Sequence, residues 1–221
     1  AQLPKGSKEY QRVIEWLTKI SQSEVAAYKI YKLTAVPLFF DITLIKPGGT
    51  ASKIAAYQET KVILDRENKV IYSLVTTSKQ SSILAGPDTV GDATTISVHG
   101  KSAYILNDKG IVTIDISGKS ARQIIEKNDK WGEIVSVTAF GGNLYLLDRT
   151  HNAVWKYIAT DFGFSPIQNY FNSDTRPDLG SARDLIIDGS VWISNPLEVL
   201  KFSRGMSEQF SFTGFADTIP S

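Results

Sequence analysis

Val62-Ile63-Leu64-Asp65, Tyr104-Ile105-Leu106-Asn107, Tyr145-Leu146-Leu147-Asp148 and Trp192-Ile193-Ser194-Asn195 are one phrase written four times. Each is a short run closed by Asp or Asn, and by subtraction the closing positions 65, 107, 148 and 195 stand 42, 41 and 47 residues apart. That spacing falls within the roughly 40–50 residue period of a four-stranded propeller blade. A polar turn follows each phrase, and then a second alternating strand at residues 70–74, 112–116, 154–158 and 199–202, so each unit contains a hairpin. Inner-strand candidates precede the phrases at 54–57, 95–98, 135–139 and 185–187. Weaker outer strands follow at 82–84, 123–125, 166–167 and 210–212. Gly100, Gly141, Gly142 and Gly189 supply the turns between first and second strands.

A four-stranded unit of this kind cannot bury both faces of its sheet alone, and radial stacking of neighbours solves that while shortening exposed edges. A β-sandwich would also show short strands, but it does not require the same phrase every 41 to 47 residues. The expected fold is therefore all-β with an N-terminal helix, a β-propeller of about four four-stranded blades over residues 51–221. Four-bladed rings exist, but six to eight blades are commoner for such repeats, and with the last unit barely reaching its outer strand the expectation is an incomplete ring rather than a small closed one.

Before the repeats, Tyr10, Val13, Ile14, Leu17 and Ile20 recur at steps of three and four, the spacing of one helical face. Ser7 can cap its start. Ser21 with Glu24 three residues on reads as a second start, giving two helices or one bent helix before Pro37. Residues 1–36 are thus expected to be a helical stalk or linker, and 37–50 a connecting or closing strand. The opening Ala1-Gln2-Leu3-Pro4 has neither initiator Met nor signal features, so it reads as an internal or processed segment. The densest apolar run, residues 35–40, is broken by Pro37 and falls far short of the roughly 20 residues of a membrane span.

Lys plus Arg number 24 against 23 Asp plus Glu, a net charge of +1 that gives no bulk attraction to nucleic acid or anionic membrane. Cysteine is absent, which excludes disulfides, thiolate metal sites and thiol nucleophiles.

The helix, residues 31–47 with Val36-Pro37-Leu38-Phe39-Phe40-Asp41, and the repeats resemble a group of poorly characterised proteins from candidate-phylum bacteria, some labelled protein-phosphatase-2C-like. The resemblance implies a phosphatase-like region and a membrane helix preceding a stalk and a propeller on the extracytoplasmic face of the membrane. It covers the propeller side only. Gly91-Asp92 and Asp188-Gly189 sit at blade turns, so no catalytic residue is carried over. The phrase from Leu144 through Tyr157 is also similar to NHL and YVTN propeller repeats, whose members mostly scaffold protein or ligand contacts.

Asp65, Asn107, Asp148 and Asn195 recur once per blade at a strand end. That is the pattern of turn residues capping nearby backbone N–H groups, rather than of ligands to one metal. His99 and His151 fall in turns without a visible partner or nucleophile. Trp155 and Trp192 read as core residues at equivalent blade sites, whereas Trp131 lies in an inter-blade connection. Loops gathered on one face of a rigid scaffold are where a ligand is expected. Hairpin turns place Arg66, Glu67, Arg149 and His151 there, and connections place Asp88, Trp131, Arg176 and Asp178.

The functional expectation is a non-catalytic module, without cofactor or metal, binding a protein, peptide or glycan through Arg66, Trp131, Arg149, His151, Arg176 and Asp178. The alternative is a metal-dependent hydrolase or lyase of the propeller type with a channel site, against which the inner strands offer mostly Ala, Val, Ile, Ser and Thr. A third reading is a structural spacer. Nucleic-acid binding is not expected, nor membrane insertion by this segment, although a preceding helix could tether it.

Overall fold

The computed structural model describes residues 4–28 and 35–211. The chain divides into two units, Ala1–Asp41 and Ile42–Ser221. In the first, α1 (Lys8–Tyr28) is one continuous helix. The Ser7 hydroxyl accepts the Tyr10 N–H at 3.1 Å, the cap its position suggests. Ser21 starts nothing: no glycine or proline interrupts the helix there, so its backbone bonds run straight through. Val13, Ile14, Trp16, Leu17 and Ile20 remain exposed.

Residues 37–50 hold no strand, which corrects the expected closing strand. Prolines 37 and 47 cannot donate to a ladder. The segment instead makes a 3-10 turn at Ile42–Leu44 and a second turn closed by Gly49 N–H on Lys46 O at 2.9 Å.

Four antiparallel four-stranded sheets follow. Blade 1 is β1 (Lys53–Tyr57), β2 (Thr60–Asp65), β3 (Val70–Val75) and β4 (Ser81–Ala85), and the short helix α2 (Pro87–Val90) leads out of it. Blade 2 is β5 (Thr95–His99), β6 (Ser102–Asn107), β7 (Gly110–Asp115) and β8 (Ala121–Glu126). Blade 3 is β9 (Ile134–Phe140), β10 (Asn143–Asp148), β11 (Ala153–Tyr157) and, after an inserted hairpin of β12 (Ala159–Thr160) and β13 (Gly163–Phe164), β14 (Gln168–Asn169). Blade 4 is β15 (Asp184–Ile187), β16 (Val191–Ser194), β17 (Val199–Ser203) and β18 (Met206–Glu208).

The four phrases occupy like places, each forming the second strand of its sheet. Period-two alternation then assigns their side chains to opposite neighbours. In β10, Leu144 and Leu146 pack with Leu106, Ile111 and Ile125 of blade 2, whereas Tyr145 and Leu147 pack with Leu185, Val191 and Ile193 of blade 4. A third apolar layer, including Val62, Leu64, Ile96 and Ile105, joins blades 1 and 2. The inner strands contact one another in the order β1, β5, β9, β15, and no comparable packing joins β15 back to β1, so the ring is open.

On the far face of blade 4, Trp192 holds the place Tyr145 holds in blade 3. There it meets Phe210 edge-on at 4.9 Å and Lys201 Nζ at 5.0 Å, and Ile186 beside it is exposed. Trp155 lies instead in a third strand, so the two tryptophans are not at equivalent sites. Two outer strands also differ from expectation. Gly205, at φ +80°, reverses the chain directly after β17, so the fourth strand is β18 and Phe210 lies beyond it. In blade 3, the inserted hairpin and Pro166, which has no N–H, delay the outer strand to β14.

Candidate functional site at the channel mouth

Register places Lys53, Thr95, Ser136 and Asp184 at one equivalent position, facing Leu64, Leu106, Leu147 and Ser194 across the first hairpin of each blade. By subtraction they precede the closing Asp or Asn by 12, 12, 12 and 11 residues. Lys53, Thr95 and Asp184 open their inner strands and Ser136 is the third residue of β9, all on the side of the blade hairpin turns. The inner strands line a cavity of about 610 Å³ that is open to solvent.

Lys53 reaches across this mouth. Its ammonium donates to Thr95 Oγ1 at 2.9 Å and to the Val135 carbonyl at 2.8 Å, so one side chain ties blade 1 to blades 2 and 3. Its pKa is lowered, first by burial, while the Asp184 carboxylate opposes that shift and the like charges of Arg66 and Arg149 reinforce it. Ser136 Oγ donates to Asp184 Oδ1 at 2.5 Å. Deeper in the channel, Thr138 Oγ1 donates to Leu185 O at 2.7 Å and Ala139 N–H to Ser97 Oγ at 3.2 Å, which fixes neighbouring inner strands laterally. Tyr57 and His99 lie at the other end, edge to face at 4.8 Å.

Around the mouth, each closing Asp or Asn joins its hairpin turn to another segment or fastens the turn itself. Asp65 is fully buried and accepts Thr50 N–H at 2.9 Å, Thr50 Oγ1 at 2.7 Å, Asn68 N–H at 2.9 Å and Tyr72 Oη at 2.9 Å. Burial alone would raise its pKa, but these donors outweigh burial and hold it well below the usual carboxylate range. Burial and the same carboxylate push the Tyr72 phenol up to about 12. Asp148 is built alike, accepting Gly132 N–H at 2.8 Å, His151 N–H at 3.1 Å and Trp155 Nε1 at 2.8 Å, with His151 Nδ1 at 2.9 Å. Its pKa is lowered too, the donors again overcoming burial. Gly132 permits this approach, because a Cβ there would stand 2.5 Å from Thr150 Cβ. Asn107 donates instead, from Nδ2 to the Thr89 and Val90 carbonyls at 3.3 and 3.4 Å, while its Oδ1 accepts Lys109 N–H at 3.0 Å. Asn195 Nδ2 donates to Glu198 Oε1 at 3.3 Å, and its buried Oδ1 has no partner.

The six expected ligand residues do not form one cluster. Arg66 and Arg149 occupy equivalent hairpin positions at the mouth, where both act on Lys53. Arg149 is pinned, with Nε on Ala182 O at 2.5 Å and Nη1 on Glu133 Oε1 at 3.3 Å. His151 is held by Asp148. Trp131 donates Nε1 to Tyr157 Oη at 3.0 Å and is half-buried against blade 3. Arg176 and Asp178 lie apart, in a groove with Asp174, Glu198, Leu200 and Phe202. Asp88 sits in α2, and Glu67 is exposed in its turn. Among the described residues, no three His, Asp or Glu side chains gather as a metal-holding group.

Lys53 and Asp184 each stand one residue before the apolar run that marks their strand in the sequence, at 54–57 and 185–187. The constant offset to the closing Asp or Asn was the available signal. Register adds Lys53 and Asp184 to the first and fourth inner strands.

Residues 90–128, the span of blade 2, match the LVIVD repeat. No curated protein matches the sequence. Among solved structures, the chain is similar to one from a nidogen/laminin complex, at TM-score 0.53 and 14% identity, with 73% of this chain and 63% of that one covered. The fold is a β-propeller. A putative gluconolactonase aligns at TM-score 0.52 and 11% identity, covering 74% of this chain and 63% of that one. The extracellular domain of a putative one-component system from Bacteroides thetaiotaomicron aligns at TM-score 0.50 and 12% identity, covering 77% and 23%. The chain thus spans less than two thirds of each of these three solved chains.

Proposed function

We propose that this propeller is a non-catalytic recognition module that holds a protein, peptide or glycan on its loop face, over the channel mouth. The observation that carries the reading is the polar set Lys53, Ser136 and Asp184, brought from three blades to the open end of one cavity and flanked by Arg66. A rigid scaffold with differing side chains at one repeated position is the usual construction of a binding surface. An extracytoplasmic setting fits the resemblance seen in the sequence and the extracellular domain among the structural neighbours. No helix among the described residues is long and apolar enough to cross a membrane.

The test is binding to peptide and glycan arrays by the intact chain and by the Arg66→Glu and Lys53→Met variants. At least a tenfold loss of signal in both variants is expected. Full retention in both would remove the mouth from the reading.

The second reading, a metal-dependent hydrolase or lyase with a channel site, draws on the gluconolactonase-like fold together with Asp184 at the mouth. Stoichiometric metal in the purified protein, lost in Asp184→Ala, would favour it.

A further inference from the structure

We infer that the channel mouth anchors a carboxylate of an acidic peptide, with Lys53 as the central contact and Arg66 as its rim; this rests on the recognition-module reading. An ammonium has three protons. Two of those on Lys53 are taken by neutral oxygens, Thr95 Oγ1 and Val135 O, which leaves one donor, and no carboxylate stands at ion-pair distance from it among the described residues. Arg66 likewise has no carboxylate at ion-pair distance among the described residues.

Arg66 and Arg149 both add like charge to Lys53 at this mouth, and the Asp184 carboxylate acts on it in the opposite sense. Like charges gathered at a partly buried site cost free energy, and an arriving anion relieves that cost. Asp184 offsets part of the charge but is committed through Oδ1 to Ser136 and its own neighbour's N–H at Leu185. Glu133 is spent on Arg149.

The choice of a peptide over an acidic sugar comes from the aromatic residues. Sugar rings are held largely by stacking on aromatic faces. The aromatic side chains lining this cavity, Tyr57, His99 and Phe140, come from the far ends of their strands, away from Lys53. A Glu side chain, a carboxylate on a short flexible arm, needs no such platform.

The experiment is titration of the intact chain with acetylated, amidated hexaglutamate, followed by amide resonances and by calorimetry at two salt concentrations. The expected result is shifts centred on Lys53, Thr95, Val135 and Ser136, and weaker binding at higher salt. Lys53→Met should weaken affinity about tenfold, equivalent to about 1.4 kcal/mol, and Arg66→Gln about threefold. Because Lys53 also ties blades together, Lys53→Arg is the companion variant, and it should keep at least a third of the affinity. Hexaglutamate binding untouched by Lys53→Met and Arg66→Gln would overturn the inference, as would binding of hexalysine or a glucuronate oligosaccharide at the mouth in its place. Those last two results would leave the module reading standing. Absence of binding by all three probes would also overturn the inference, with the array experiment deciding the module reading separately.

Discussion

Blades 1 and 3 close their second strands with Asp, and blades 2 and 4 close theirs with Asn. The difference follows the backbone group that each closing side chain meets. Ahead of blades 1 and 3, the incoming connection presents N–H groups, from Thr50 and Gly132, and a carboxylate accepts them. Ahead of blade 2, α2 presents its last carbonyls, Thr89 O and Val90 O, and only an amide can donate to those. The aromatic donors obey the same logic: Tyr72 and Trp155 occupy one register position and both donate to the Asp of their own blade, whereas blade 2 has Val112 there. Blade 4 has neither an N–H on its Asn oxygen nor an aromatic donor. The repeat therefore conserves a junction while the chemistry of the junction varies.

The largest expected effect comes from deleting a carboxylate clamp. Asp148→Ala leaves Gly132 N–H, His151 N–H and Trp155 Nε1 without their acceptor, and should cost about 4 kcal/mol, or roughly 10 °C in Tm, by thermal denaturation. Exchanging the chemistry should be nearly as harmful: Asn107→Asp sets a carboxylate against two carbonyls and should cost about 3 kcal/mol at neutral pH.

These two junctions should also respond to pH with opposite sign. Asp65 and Asp148 have folded pKa values held below their unfolded values. The stability they contribute is full above an unfolded pKa of about 3.9 and is lost as the pH falls through the folded values. The Asn107→Asp carboxyl, facing carbonyls, would have its pKa raised, so its penalty should shrink on acidification toward pH about 4. Urea unfolding of wild type and variant across that range would show converging midpoints, and parallel curves would break the comparison. The smallest effect is Trp155→Phe, which removes one charge-assisted donor while keeping most of the apolar contact, at about 1–2 kcal/mol.

The blade repeat was legible because its register depends on local features, namely apolar alternation closed by Asp or Asn, and these survive in the sequence even where the phrase degenerates to Trp-Ile-Ser-Asn. The roles of surface side chains were not. Arg149 looks free in its turn, yet Nε is bound to Ala182 O, 33 residues away. Trp131 looks exposed in its connection, yet it donates to Tyr157. Such partners lie in another element, so no local pattern encodes them. Lys53 and Asp184 are hidden differently, each standing one residue outside an apolar run whose edge is not the strand's edge. The expected strand in 37–50 failed on the lack of donors at its prolines.

Lys53 grips a hydroxyl of the second blade and a carbonyl of the third with the same ammonium that faces the cavity. Two of its protons serve the scaffold and the third would serve a guest, so both would hold one nitrogen. An anion that drew that nitrogen off Val135 O would slacken the seam between the first and third blades, so occupancy and the set of the arc would be read together, as tension on a single thread.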